Sequence, residues 1–225
     1  MRCGTLATQQ PENARLKHTK YLLLTDDYLY RHMLTEKIKD ATLAYHQETE
    51  KILTQKLRNM RSVQDYVAVL SLFYSYFGGL EKQTDAYIST EMLHDYHERR
   101  KAAALAADIN TLSGLLPNRA DGHYLPVITN QLQAFGALYV MEGSTLGGKM
   151  ISKMVQQHLG LQDGNGTAFF SGYAEKTGQK WTDFKAALNA IASNDAEEET
   201  VINAANETFK KLKQWMELPP QQPVY

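Results

Sequence analysis

From residue 33 onward, apolar positions recur at three- and four-residue spacing, as in helices that bury one stripe. Ile38, Thr42, Tyr45 and Thr49 mark such a stripe through residue 51. Residues 63–80 are apolar nearly all round, which predicts a deeply buried helix. A third helix is predicted over 90–112, with Met92, Leu93, Tyr96, Leu105 and Ile109 as core positions. Residues 117–122 and the glycine-rich 161–172 read as connections. Between them the pattern predicts one long helix over 125–159, with Ile128, Leu132, Phe135, Tyr139, Leu146, Met150 and Met154 on one face. Two more helices are expected at 180–192 and 196–217. Asp195 and Glu197 to Glu199 put negative charge at the start of the last one, and Pro219 and Pro220 end it. No strand period or internal repeat is evident, so the fold class is all-α. A single multi-helix domain is expected over 33–218, after an N-terminal extension of residues 1–32 and before a polar tail, 219–225.

Composition narrows the function classes. A chain of 225 residues can bury one sizeable core. A net charge of -1 gives no general electrostatic case for nucleic acid or an anionic membrane. One cysteine, Cys3, excludes an intrachain disulfide and a multi-thiolate metal site. Residues 1–15 contain no apolar signal region, and the longest apolar run, 67–80, falls short of the roughly 20 residues of a spanning helix. The expectation is a cytoplasmic protein with no membrane span.

The stretch Y-V-M-E-G-S-T-L-G-G-K-M, from Tyr139 to Met150, carries Gly143, Gly147 and Gly148 in a run patterned as helix. Each glycine in a helix interior costs about 1 kcal/mol relative to alanine. One explanation is close helix–helix packing. The other is a flat ligand lying against the backbone of a kinked helix. Gly143 and Gly147 are four apart and share a face, with Leu146 and Met150 beside them and the hydroxyls of Ser144 and Thr145 close by. Haem is a planar ligand of this kind, and it needs an iron ligand. His46 is one candidate: Glu50 follows one turn later, where a carboxylate can orient a metal-bound imidazole. Lys39 precedes His46 by two turns, roughly 10.5 Å of rise. The same spacing equally describes a solvated His–Glu pair. His94 and His97, near Glu91 and Glu98, form a second polar cluster, either an exposed face or a carboxylate–histidine metal site.

Two separated motifs resemble the haem oxygenase family, in its bacterial biliverdin-producing branch. A-T-x-x-x-H-x-x-x-E, from Ala41 to Glu50, resembles the helix bearing the proximal histidine. L-Y-V-M-E-G-S-T-L-G-G, from Leu138 to Gly148, resembles the glycine-rich distal helix. F-F-S-G-Y, W-T-D-F-K and A-A-N-E-T-F follow in the family's order, so the likeness runs from about residue 33 to 218. The resemblance implies a helical bundle with haem between the proximal and distal helices. It implies His46 as axial iron ligand and Glu50 as its orienting partner. Gly143 and Gly147 would be the close distal wall, with Ser144 in the catalytic group where animal members carry aspartate. Lys39 and Lys185 would face the propionates, and Phe209 would be a pocket wall. Asn189 stands where animal members have a second basic residue.

The implied reaction opens haem, both substrate and cofactor, to biliverdin with release of ferrous iron and carbon monoxide. It consumes O2 and external electrons. No nucleotide-binding fingerprint is present, so a ferredoxin or flavoprotein reductase is the expected electron donor. The alternatives are a haem-binding protein without turnover, a non-haem di-iron oxidase using residues such as Glu91, His94 and Glu142, and an interaction module built on glycine packing.

Overall fold

The computed structural model describes residues 33–112, 115–162 and 164–218. The proposed extension, 1–32, and tail, 219–225, lie outside the described residues. Among the described residues the regular structure is entirely helical: α1 (Leu34–Asn59), α2 (Val63–Thr84), α3 (Ala102–Leu112), α4 (Gln131–Gly143), α5 (Gly148–Leu159), α6 (Ala168–Ser171), α7 (Thr177–Ile191) and α8 (Asp195–Glu217), with three short 3-10 turns. None of these helices is long and apolar enough to cross a membrane.

The stripe predicted on α1 is the buried one, since Ile38, Thr42 and Thr49 all face the core. The threonines satisfy their hydroxyls locally, Thr42 on Ile38 O and Thr49 on Tyr45 O, so they can be buried without partners on other helices. Met33, at the N-cap of α1, offers no side-chain cap. Asn189 of α7 supplies one instead, accepting from Thr35 N at 3.0 Å.

α8 runs parallel to α1: Lys37 pairs with Glu198, His46 meets Phe209, and Lys213 pairs with Glu48 at 2.8 Å. α2 begins with a capping box between Ser62 and Asp65 and lies antiparallel to α8. The Tyr76 hydroxyl donates to Thr208 O at 2.7 Å, and Trp215 Nε1 donates to Leu72 O at 3.1 Å. α4 crosses α8 closely at Gly136, where an added Cβ would lie 2.3 Å from Val201 O.

Two predicted helices are interrupted. The helix expected over 90–112 starts only at Ala102. Leu93 and Tyr96 are buried as expected, but from turns and a short 3-10 helix. The helix expected over 125–159 begins at Gln131, capped by Asn130, which accepts from Gln133 N at 3.0 Å. It breaks at residues 144–147 and resumes as α5. Ile128 is therefore buried from a non-helical segment, and Leu146 and Met150 are 51% and 79% exposed, so the single face expected over 125–159 is not continuous.

Candidate haem site at the α4–α5 bend

The three glycines of the motif have different surroundings. A Cβ on Gly148 would lie 1.9 Å from Phe170 O, so this glycine lets α5 approach the backbone of α6. That approach is fixed from the far side. The buried Asp108 carboxylate of α3 accepts from Ala168 N and Phe169 N, both at 2.8 Å, at the start of α6. Burial raises the Asp108 pKa despite these two bonds. Gly143 and Gly147 are open. Among the described residues, a Cβ on Gly143 would meet only the rim of the Trp181 ring, at 3.9 Å, and one on Gly147 would meet nothing within 4 Å. Close helix packing thus accounts for Gly148, and among the described residues no packing partner accounts for Gly143 and Gly147.

Around the open side the helices bring several of the predicted residues together. Tyr139, one turn before Gly143, packs on Trp181 of α7 with ring centroids 5.8 Å apart. Burial raises the Tyr139 pKa, and the side chain of Thr42 on α1, one turn before His46, offsets part of that rise. His46 is exposed, and its ring stands edge-on to Phe209 of α8 at 5.6 Å. Lys185 follows Trp181 by one turn and is half-buried. Lys39 is exposed and pairs only loosely with Glu36, at 3.5 Å. Glu50 is exposed as well, and among the described residues no hydrogen bond joins it to His46. Asn189, in the second basic position, is committed to Thr35 N. An accessible imidazole beside an aromatic ring, two glycines open among the described residues, and exposed Leu146 and Met150 suit a planar, largely apolar ligand with an iron.

Behind the bend lies a buried polar cluster. Glu142, immediately before Gly143, is 3% exposed. It accepts from Arg99 Nη1 at 2.6 Å and from the Tyr173 hydroxyl at 2.9 and 3.0 Å. Arg99 also holds Asp95, at 2.9 and 3.2 Å, and Lys180 reaches Asp95 at 2.8 Å. Burial alone would raise the Asp95 pKa, but the hydrogen bonds from Lys180 and Arg99 outweigh it and hold the carboxyl below its usual value. Ser144 does not offer a free hydroxyl: its Oγ donates to Met141 O and accepts from Arg100 Nη2, both at 2.6 Å. The same cluster argues against a di-iron cage, because the charge of Glu142 is already matched by Arg99. His94, Asp95 and Asp183 do bring ligand atoms within 4.8 Å of one another, but Asp95 is likewise held by two cations.

The sequence reading missed this cluster and the Tyr139–Trp181 pair. One signal was available. A glutamate in the middle of an apolar helix demands a buried cation.

Comparisons with known proteins identify the family and the fold. The family model described as Heme oxygenase matches residues 32–218. A heme oxygenase of Xanthomonas campestris pv. campestris is 27% identical over 145 residues, covering 64% of this chain and 84% of that protein. Among solved structures, the NO- and CO-bound heme oxygenase of Neisseria meningitidis superposes with a TM-score of 0.69 at 22% identity, covering 85% of this chain and 96% of that one. Heme oxygenase from Leptospira interrogans gives 0.66 at 16% identity, covering 82% and 98%. These structural likenesses bear on the fold, and the family match spans nearly all of the described chain. The chain belongs to the heme oxygenase family, enzymes that degrade haem.

Proposed function

We propose that this protein opens haem to biliverdin with release of ferrous iron and carbon monoxide, using O2 and electrons from a ferredoxin or flavoprotein reductase, in the cytoplasm. The observation that carries the reading is the contrast within one motif: Gly148 is filled by Phe170 O, while Gly143 and Gly147 face open space. Haem supplies the iron and the oxidisable ring, so the protein's work is binding, orientation and exclusion.

In this reading His46 holds the iron through its imidazole, and Phe209 limits the rotation of that ring. Glu50 lies one turn on, where a ligand-induced contact would orient the histidine. Gly143 and Gly147 let the distal backbone approach the haem face more closely than any side chain would allow. Lys39 and Lys185 offer cations to the propionates. Ser144 acts through the bend: its hydroxyl is tied to Met141 O and Arg100, so it holds the distal backbone in shape.

The test is a haem titration of the purified protein followed by a ferredoxin system in air. A one-to-one Soret complex that decays to a biliverdin spectrum is the expected result. A stable complex that never decays under a competent reductant would make the protein a haem carrier. Absence of any complex would overturn the reading.

A further inference from the structure

Among the described residues, Arg100 is the cation of the buried cluster with no carboxylate oxygen of its own. Arg99 takes Asp95 and Glu142, and Lys180 takes Asp95 and Glu98. Arg100 gives its donors to neutral acceptors. Nη1 donates to Phe169 O at 3.1 Å, and Nη2 donates to Met141 O at 2.8 Å and to Ser144 Oγ at 2.6 Å. Its Nε is buried without a partner among the described residues, and its guanidinium lies 3.8 Å from the Phe169 ring centroid. Met141 O is one of the last carbonyls of α4, left without a helical partner where the helix stops. A cation there is favoured by the helix dipole. Arg100 therefore ties α6, the end of α4 and the first residue of the bend to one buried charge.

We propose that Arg100 is a positioning residue for the distal side of the haem site: by holding Met141 O and Ser144 Oγ together it fixes the α4–α5 bend and places an unneutralised cation behind it. This rests on the haem reading above. The titratable groups facing Arg100 are Glu142 from α4 and Tyr173 from the turn before α7, and Glu142 is already shared with Arg99. Burial pushes the Arg100 guanidinium down to about 10, so it stays charged through neutral pH. A fixed cation behind the bend favours the more negative form of any ligand on the distal side. It therefore lowers the pH at which the ferric haem complex passes from its acid to its alkaline spectrum.

The experiment measures that midpoint in the one-to-one haem complexes of wild type, Arg100→Gln, Ser144→Ala and the double variant. Arg100→Gln, which removes both the charge and the tie, is expected to raise the midpoint by at least about 0.5 pH unit, roughly a threefold change in the equilibrium; Ser144→Ala, which loosens the tie and keeps the charge, is expected to raise it by less. The double variant should shift no further than the larger single one, because both remove the same tie. An unchanged midpoint in a folded, haem-loaded Arg100→Gln overturns the inference, as do fully additive shifts. If Arg100→Gln fails to fold by circular dichroism, Ser144→Ala carries the test alone, and a wild-type midpoint in it is the contrary result. Failure of the wild-type protein to bind haem is a different outcome: it removes the haem reading first and this inference with it.

Discussion

The two sides of the α4–α5 bend differ in what fills them. The inner side is saturated: Gly148 is pressed against α6, Glu142 and Arg99 form a buried pair, and Arg100 ties down Met141 O and Ser144. The outer side presents two glycines with little or nothing against them and two exposed apolar side chains. The ten residues from Met141 to Met150 thus carry both a held bend and a wall that is open among the described residues. The bend has to be rigid, because a backbone wall selects geometry only if it cannot move when a ligand arrives.

The comparison breaks first at Glu142. Glu142→Ala takes one of its two carboxylates from the buried Arg99 and the acceptor from the Tyr173 hydroxyl; complete loss of a buried partner costs about 3–5 kcal/mol, and the Asp95 that Arg99 keeps holds the expected cost to the lower part of that range. Urea denaturation is expected to show that loss, and a loss under about 1 kcal/mol would mean that the inner side is not held by this pair. On the outer side, His46→Ala is expected to leave the fold intact and to suppress haem turnover by more than the roughly 100-fold typical of losing an outer partner of a metal ligand. An unchanged absorption spectrum of the haem complex would remove His46 from the site.

Gly148→Ala tests the packed glycine. Overpacking of this kind costs about 1–3 kcal/mol, visible as a lower denaturation midpoint. Acidification gives a smaller effect. Because the folded Asp95 pKa is depressed, the stability it contributes is present above its unfolded value of about 4 and is lost as pH falls through the folded value. Asp95→Asn should therefore lower stability at pH 7 and flatten the acid limb of a stability–pH curve. A curve parallel to wild type would contradict this.

Much of the fold was legible because α1, α2, α7 and α8 carry long, regular apolar stripes. The errors fell where buried residues sit on turns. Leu93, Tyr96 and Ile128 occupy spacings that also suit a helix, yet they are buried from turns and non-helical segments; near Tyr96, Arg99 is anchored to groups far along the chain. Those anchors join residues far apart in the chain, such as Arg99 with Glu142 and with Lys180 O, and no local pattern announces them. At the site, His46 and the glycines were legible as motifs, and the structure adds which glycines are open. Ser144 was read as a distal hydroxyl; its engagement by Arg100 depends on a residue 44 positions earlier in the chain.

The central claim is that Gly143 and Gly147 are kept for a ligand and not for the fold. The direct measurement is Gly143→Ala, followed by urea denaturation without haem and by haem titration with turnover. The account predicts unchanged or slightly higher stability, by up to about 1 kcal/mol as for alanine over glycine in a helix, together with an altered Soret complex and impaired biliverdin formation. A variant that loses stability yet binds and degrades haem as wild type does would return Gly143 to packing and contradict the account.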